Sequence, residues 1–122
     1  MDTEFHKLTA EDIAAVQSLA SEVIPPENIH SDFCHDELAG EYCRPDLLVR
    51  AHSTEEVSAV MKYAFAHHIP VTPRGQGTGL VGGSVCRFGG IMLDVTQMNR
   101  ILEIDEENLT LTVEPGVLLM EI

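Results

Sequence analysis

Five glycines fall within the twelve residues from Pro73 to Ser84. Glycine has no Cβ, so this stretch can take left-handed backbone conformations and let a ligand approach the main chain closely. Glycine also weakens helix and strand interiors, which makes the segment a loop. Successive N–H groups in such a loop can converge on an anion. The segment therefore predicts a phosphate-holding loop, and the fold must bring regular elements to both of its ends.

The residues before the loop show a strand–helix–strand pattern. Apolar runs at 47–51 and 69–72 predict two strands. Between them, Ser53 as N-cap and Glu56 as its capping-box partner predict a helix that continues to about His67. We expect a right-handed βαβ unit with parallel strands.

The residues after the loop predict three more strands. One lies at 91–95, and alternation at 101–105 and 109–113 predicts an antiparallel hairpin with a three-residue loop. An apolar run begins at Val117 without a stop signal, from which we expect the chain to be part of a longer protein.

The N-terminal part is less regular. Residues 9–23 predict an amphipathic helix with Thr9 as N-cap, ended by Pro25 and Pro26. Residues 27–45 predict a long, partly irregular connection. We divide the chain into an N-terminal extension, 1–42, and the recognisable unit, 43–122.

Charge and composition exclude several functions. A net charge of −13 argues against nucleic acid and against an anionic membrane surface. Neither a signal peptide nor a membrane-spanning segment is expected. The odd number of cysteines, without a C-x-x-C motif, favours a reducing cytoplasm. His30, Cys34 and His35 lie close in sequence but in an irregular acidic segment, so we expect no metal site.

Two common phosphate-binding motifs do not fit the loop. The P-loop needs a lysine where Gly83 stands. The spacing of Gly77, Gly79 and Gly82 matches G-x-G-x-x-G, with Asp94 near the end of the next strand, but that fingerprint needs a crossover helix. Residues 83–90 are too few for such a crossover. The remaining interpretation is a loop between strands whose amides face a diphosphate, with an unliganded surface turn as the alternative.

The order of several short motifs resembles the FAD-binding fold of the PCMH type, shared by vanillyl-alcohol oxidase, p-cresol methylhydroxylase and the D-lactate and glycolate dehydrogenases. The resemblance covers residues 43–122 and is greatest for the glycolate oxidase subunit and D-lactate dehydrogenase branch. The motifs, in order, are Arg44-Pro45, Ser53 to Val57, Ile69 to Leu80, Gly82-Gly83 and Val113 to Val117. The resemblance implies an α+β fold: a small mixed sheet with a βαβ unit, a glycine-rich loop and a β-hairpin.

The resemblance also implies the cofactor-binding residues. Main-chain groups of the loop would wrap the FAD diphosphate, two residues would lie toward the flavin, and a later segment would line the adenine side. Some members attach FAD covalently through a histidine at the position of Thr78, so threonine there implies non-covalent FAD. The implied contacts are Pro73, Arg74, Gly75, Gln76, Gly77, Thr78, Gly79 and Leu80 at the diphosphate, Gly83 and Ser84 toward the flavin, and Pro115, Gly116 and Val117 toward the adenine.

The implied function is that of an FAD-dependent 2-hydroxy-acid dehydrogenase that passes electrons to an acceptor protein or a quinone. The family places its catalytic groups further along the chain, so we name no catalytic residue, interpret His52 as structural, and expect this chain to be inactive by itself. The alternatives are a stand-alone nucleotide- or anion-binding module and an inactive truncated product.

Overall fold

A computed structural model describes residues 4–122, which form a small mixed α/β structure. The helices and strands, in chain order, are α1 (Ala10–Leu19), β1 (Val23–Ile24), β2 (Leu47–Arg50), α2 (Thr54–Ala66), β3 (Val71–Arg74), β4 (Ile91–Asp94), β5 (Ile101–Asp105) and β6 (Thr110–Val113). Short 3-10 helices lie at Pro26–Asn28, Ser31–Cys34 and Leu119–Glu121.

The main sheet has four strands in the order β1-β2-β4-β3. Strand β4 runs parallel to both β2 and β3 and lies between them, whereas β1 pairs antiparallel with β2. The strands of the predicted βαβ unit are therefore parallel but not adjacent. This insertion of β4 aligns the carboxyl ends of three strands at one edge of the sheet.

Both faces of the sheet are buried, which explains why β2 and β4 are nearly continuous apolar runs. One face packs against the helices through Val49, Leu93 and Val60. The other face packs Leu48 and Met92 against segments outside the α-helices and strands. These segments contribute Ile29, Phe33 and Cys86. The glycine-rich loop crosses the fold on this second side.

Helix α1 is shorter than predicted. It begins after Thr9, whose hydroxyl accepts the Asp12 N–H while the Asp12 carboxylate accepts the Thr9 N–H. It ends at Leu19 rather than at Val23, because Val23 and Ile24 pair with β2 as strand β1. Backbone pairing in the sheet outweighs the helical apolar spacing here.

Helix α2 begins as predicted, but only half of its predicted capping box forms. The Ser53 hydroxyl accepts the Glu56 N–H at 3.2 Å. The Glu56 carboxylate does not accept the Ser53 N–H, as a capping box would require. It accepts hydrogen bonds from the N–H groups of His52 and Ser21 instead. This carboxylate ties the start of α2 to the chain between α1 and β1.

Two strand predictions need adjustment. Strand β3 covers residues 71–74 rather than 69–72, so Pro73 lies within an edge strand, where its missing N–H is tolerated. The predicted hairpin of β5 and β6 is confirmed, but its loop has four residues, 106–109, rather than the predicted three, and the pairing is irregular between Ile101 and Glu103. Within residues 4–122, neither helix has the length and apolar character needed to cross a bilayer.

Candidate functional site

Three charged residues end the three parallel strands and lie side by side. Arg50 ends β2, Asp94 ends β4 and Arg74 ends β3, and the strand register places Asp94 opposite both arginines. The carboxyl ends of parallel strands are where α/β folds usually bind ligands. This row marks the candidate site.

Asp94 is fully buried, and its carboxylate is satisfied by two donors. The Arg50 Nε–H donates to one oxygen at 2.9 Å, and the Thr96 N–H donates to the other at 2.9 Å. Burial lowers the pKa of Arg50, but its hydrogen bond and charge interaction with Asp94 more than offset this, so the pKa lies above its ordinary value. This pair anchors the edge of the sheet from which the site is built.

A cleft of about 360 Å³ lies over this edge. It is bounded by the row of charged residues, by the first residues of the glycine loop and by the 3-10 segment at Ser31–Cys34. The residues lining it are His30, Asp32, Phe33, Arg50, Arg74, Gly75, Gln76, Asp94 and Thr96.

Residues 75–90, which include most of the glycine loop, form no helix. Gly77 and Gly82 have φ of +73° and +76°, conformations that favour glycine. The absence of a helix after the loop agrees with the rejection of the G-x-G-x-x-G fingerprint, which needs a crossover helix.

Carbonyl groups of the loop accept hydrogen bonds from the rest of the protein, whereas most of its N–H groups donate none within residues 4–122. The Gly79 carbonyl accepts the Glu37 N–H, the Gly82 carbonyl accepts the Val85 N–H, and the Gly82 N–H donates to the Asp36 carboxylate. By contrast, none of the N–H groups of residues 75–81 donates a hydrogen bond to another described residue. Six of these seven residues are exposed, so the loop presents free donors at the surface.

Arg74 lies beneath the loop rather than on it. Its side chain is buried and donates to the carbonyls of Asp32 and His35, both at 2.8 Å, and of Ser84 at 3.3 Å. Its guanidinium carbon also lies 5.6 Å from the centre of the Phe33 ring. Arg74, which the resemblance implies at the diphosphate, is therefore also a structural link between the loop and the segment before β2.

The other predicted contacts occupy two further places. The Ser84 hydroxyl is buried and has no hydrogen-bond partner among residues 4–122. Gly116 is buried, and its N–H donates to the Met98 carbonyl at 2.8 Å. A Cβ there would collide with the turn after β4, which contains Thr96 of the cleft. The segment from Pro115 to Val117 is thus packed beside the carboxyl end of β4.

These features fit a dinucleotide with a diphosphate. The free amides of residues 75–81 are suitable donors for phosphate oxygens. The unpartnered hydroxyl of Ser84 offers a further donor or acceptor on the same loop. Buried Arg74 supplies positive charge below it.

Sequence reasoning missed several of the site residues. The sequence does not identify Arg50, or Asp32 and Phe33 of the 3-10 helix, as residues of the site. It points to Asp94 only through the rejected G-x-G-x-x-G fingerprint. A charged residue at the end of a predicted buried strand was the available signal for Arg50 and Asp94. Asp36, which binds Gly82, gave no local signal, because its partner lies 46 residues away.

The cysteines and histidines near the site do not form a metal centre within residues 4–122. Cys34, Cys43 and Cys86 are free thiols. Burial raises the pKa of Cys86 to about 11, so this thiol is a poor nucleophile at neutral pH. His52, which we interpret as structural, is exposed, and its Nε2 lies 2.9 Å from Oε2 of Glu22.

The sequence matches the family model described as FAD binding domain over residues 45–122. It is 45% identical to D-lactate dehydrogenase of Anaerostipes hadrus over 122 residues, which cover 98% of this chain and 26% of that protein. It is 46% identical to glycolate oxidase subunit GlcD of Bacillus subtilis (strain 168) over 77 residues, covering 63% of this chain and 16% of that protein.

The fold also matches a solved flavoenzyme. Superposition on p-cresol methylhydroxylase gives a TM-score of 0.73 at 27% identity, over 86% of this chain and 22% of that one. The chain spans only about a quarter, or less, of the length of the curated relatives and of this structure.

Proposed function

This chain belongs to the FAD-binding domain family, and from that membership we propose that the loop from Pro73 to Ser84 holds the FAD diphosphate through main-chain N–H groups. The observation that carries the proposal is the run of free amides at residues 75–81. Each hydrogen bond to a charged oxygen contributes roughly 1.5–3 kcal/mol net, so three or four of them would anchor a diphosphate.

The position of Arg74 supports the same assignment. Among residues 4–122, the arginine ion pairs are formed by Arg50 and Arg100, whereas Arg74 is bound to carbonyl groups. Within residues 4–122, its guanidinium therefore forms no ion pair with a carboxylate. In a chain with a net charge of −13, this local charge favours an anion at the loop.

The remaining predicted contacts are assigned by the same reasoning. Pro73 leads the chain into the loop, Gly83 and Ser84 lie toward the flavin, and the segment from Pro115 to Val117 lies toward the adenine. We propose that FAD is held without a covalent bond, because Thr78 offers no imidazole for attachment. The buried packing of Gly116 supports a fixed wall beside the cleft.

We further propose that the complete protein oxidises a small 2-hydroxy acid. The relatives named D-lactate dehydrogenase and glycolate oxidase subunit support this class of substrate. Bound FAD would supply the acceptor, flavin N5, for the hydride of the carbinol carbon. The role of residues 4–122 is to bind and orient FAD, and the substrate-handling groups are assigned to other parts of the protein.

Two further assignments concern the setting of the reaction. We propose an electron-acceptor protein or a quinone as the partner that reoxidises the flavin. We propose the cytoplasm as its location, because three free cysteines suit a reducing compartment.

Titration of the full-length apoprotein with FAD, ADP and ATP, followed by flavin fluorescence and calorimetry, tests the loop assignment. We expect FAD to bind, and we expect Arg74→Ala to weaken binding about tenfold, because the loop loses its buried positive charge and its link to Asp32 and His35. Lys62→Ala, which removes an exposed charge on α2, controls for the change in net charge and should leave the FAD Kd unchanged.

Two outcomes would contradict the proposal. A protein that purifies colourless and takes up no FAD would rule out the cofactor. Binding of ADP or ATP without any response to FAD would favour a nucleotide-binding module without redox chemistry.

A further inference from the structure

One short segment of the N-terminal part, residues 32–37, contacts the glycine loop at Arg74, Gly79 and Gly82. The carbonyls of Asp32 and His35 accept the Arg74 guanidinium at the start of the loop. The Glu37 N–H donates to the Gly79 carbonyl at 2.9 Å in the middle. These contacts come from a region that the sequence assigned to an irregular connection.

Asp36 makes the side-chain contact of this segment with the loop backbone. Its carboxylate is buried, with only 5% of the residue exposed. One oxygen accepts the Leu38 N–H and the other accepts the Gly82 N–H, each at 2.9 Å. Because Gly82 has a φ of +76°, this bond fixes a residue whose backbone has many alternative conformations.

We propose that Asp36 is a positioning residue for the FAD diphosphate, an inference that rests on the proposed function. By binding the Gly82 N–H, its carboxylate selects the loop conformation in which the amides of residues 75–81 stay free. Asp36 itself is engaged with two backbone donors and does not need to contact the cofactor. Preorganised donors bind an anion more tightly because the loop is ordered before the ligand arrives.

The charge of Asp36 makes the proposal testable. A carboxylate close to a diphosphate repels it, so removal of this charge alone should tighten FAD binding. Loss of the Gly82 contact should instead loosen the loop and weaken binding. A weaker affinity after substitution therefore reports on loop geometry, against the direction set by charge.

The experiment measures the Kd of FAD and of ADP, and the Tm, for the full-length apoprotein and three variants. Asp36→Ala removes both acceptors, and Asp36→Asn keeps one oxygen. Asp12→Asn is the matched control: Asp12 is an equally buried carboxylate with backbone and side-chain partners, but it belongs to the helical side of the sheet. Binding is measured well below the Tm of every variant, so that all are folded.

We expect Asp36→Ala to raise both Kd values by about tenfold, since FAD and ADP share the diphosphate. Asp36→Asn should give a smaller loss, of about threefold, by restoring one acceptor. Asp12→Asn should lower the Tm while both Kd values stay within about twofold of the parent protein.

Unchanged affinity in Asp36→Ala, or an equal loss in Asp12→Asn, would overturn the positioning role. If the alanine variant does not fold, Asp36→Asn decides alone, and affinity equal to that of the parent protein would overturn the proposal. A parent protein that binds no FAD would refute the proposed function instead, so the two failures are distinguishable.

Discussion

A Cβ atom on Gly77 would overlap sterically with the guanidinium group of Arg74. The missing side chain of the glycine therefore makes room for the arginine to fold back under the loop and reach the carbonyls of Asp32 and His35. The two residues act as one structural unit, in which Gly77, with a left-handed backbone conformation, lies over the buried guanidinium group of Arg74.

Gly77→Ala should disrupt this unit. The new methyl group collides with Arg74, and the φ of +73° is strained for alanine. We expect a loss of more than about 2 kcal/mol of stability and loss of bound FAD, measured by urea unfolding and by the flavin absorbance of the purified protein. Gly75→Ala is the control for stability, because no atom lies within 4 Å of the position that a methyl group on Gly75 would take. An equal loss of stability in Gly75→Ala would contradict the explanation.

Substitution of Arg50 should lower stability mainly because it leaves the buried Asp94 carboxylate without its ion-pair partner. Arg50→Leu removes the Nε–H that binds fully buried Asp94, and we expect about 3 kcal/mol of destabilisation. The double variant with Asp94→Leu should be less destabilised than Arg50→Leu alone, because no unpaired charge remains. A double-mutant cycle by urea unfolding checks this, and additive losses would contradict it.

Asp12 should make stability depend on acid pH. The Thr9 N–H stabilises its carboxylate; burial acts in the opposite direction, but the Tyr63 hydroxyl, at 2.7 Å, also stabilises it, and the pKa lies well below its ordinary value. A lowered folded-state pKa contributes stability above the unfolded pKa of about 3.9 and loses it as the pH falls below that value.

The corresponding experiment compares Asp12→Asn with the parent protein across pH. We expect the variant to be less stable by about 2 kcal/mol at pH 7, and the difference to shrink progressively below about pH 4. Urea unfolding at several pH values measures it. A difference that stayed constant from pH 7 to pH 2.5 would show that the carboxylate charge is not responsible.

Leu109 is a site where stability should increase. This residue is 90% exposed in the hairpin turn and has a φ of +54°, a region that asparagine tolerates better than leucine. Leu109→Asn should raise stability by about 0.5 kcal/mol, seen as a higher Tm. Leu109→Ala keeps the backbone strain and should give no increase; an equal increase in both would point to the loss of the exposed leucine instead.

The local elements could be predicted because their causes act over a few residues. Ser53 caps α2 through the nearby Glu56 N–H, alternation defines the hairpin, and the glycines exclude a helix after β3. The predictions that were wrong concern residues whose structure depends on distant partners. Val23 has helical spacing but joins the sheet, because its partner Val49 lies far away in sequence. The division of the chain at residue 42 stays a prediction, and the extension contributes both β1 and the support of the loop.

The amino-acid sequence by itself determined that this protein has a glycine-rich loop without a helix between two strands, because glycine content limits the backbone directly. Only the tertiary structure decided which side chains serve that loop. Asp36 contacts Gly82 across 46 residues, where two segments outside the sheet pack together. Arg50 contacts Asp94 across 44 residues, because β4 pairs with β2. Strand order depends on packing between distant segments, and no local pattern of residues encodes it.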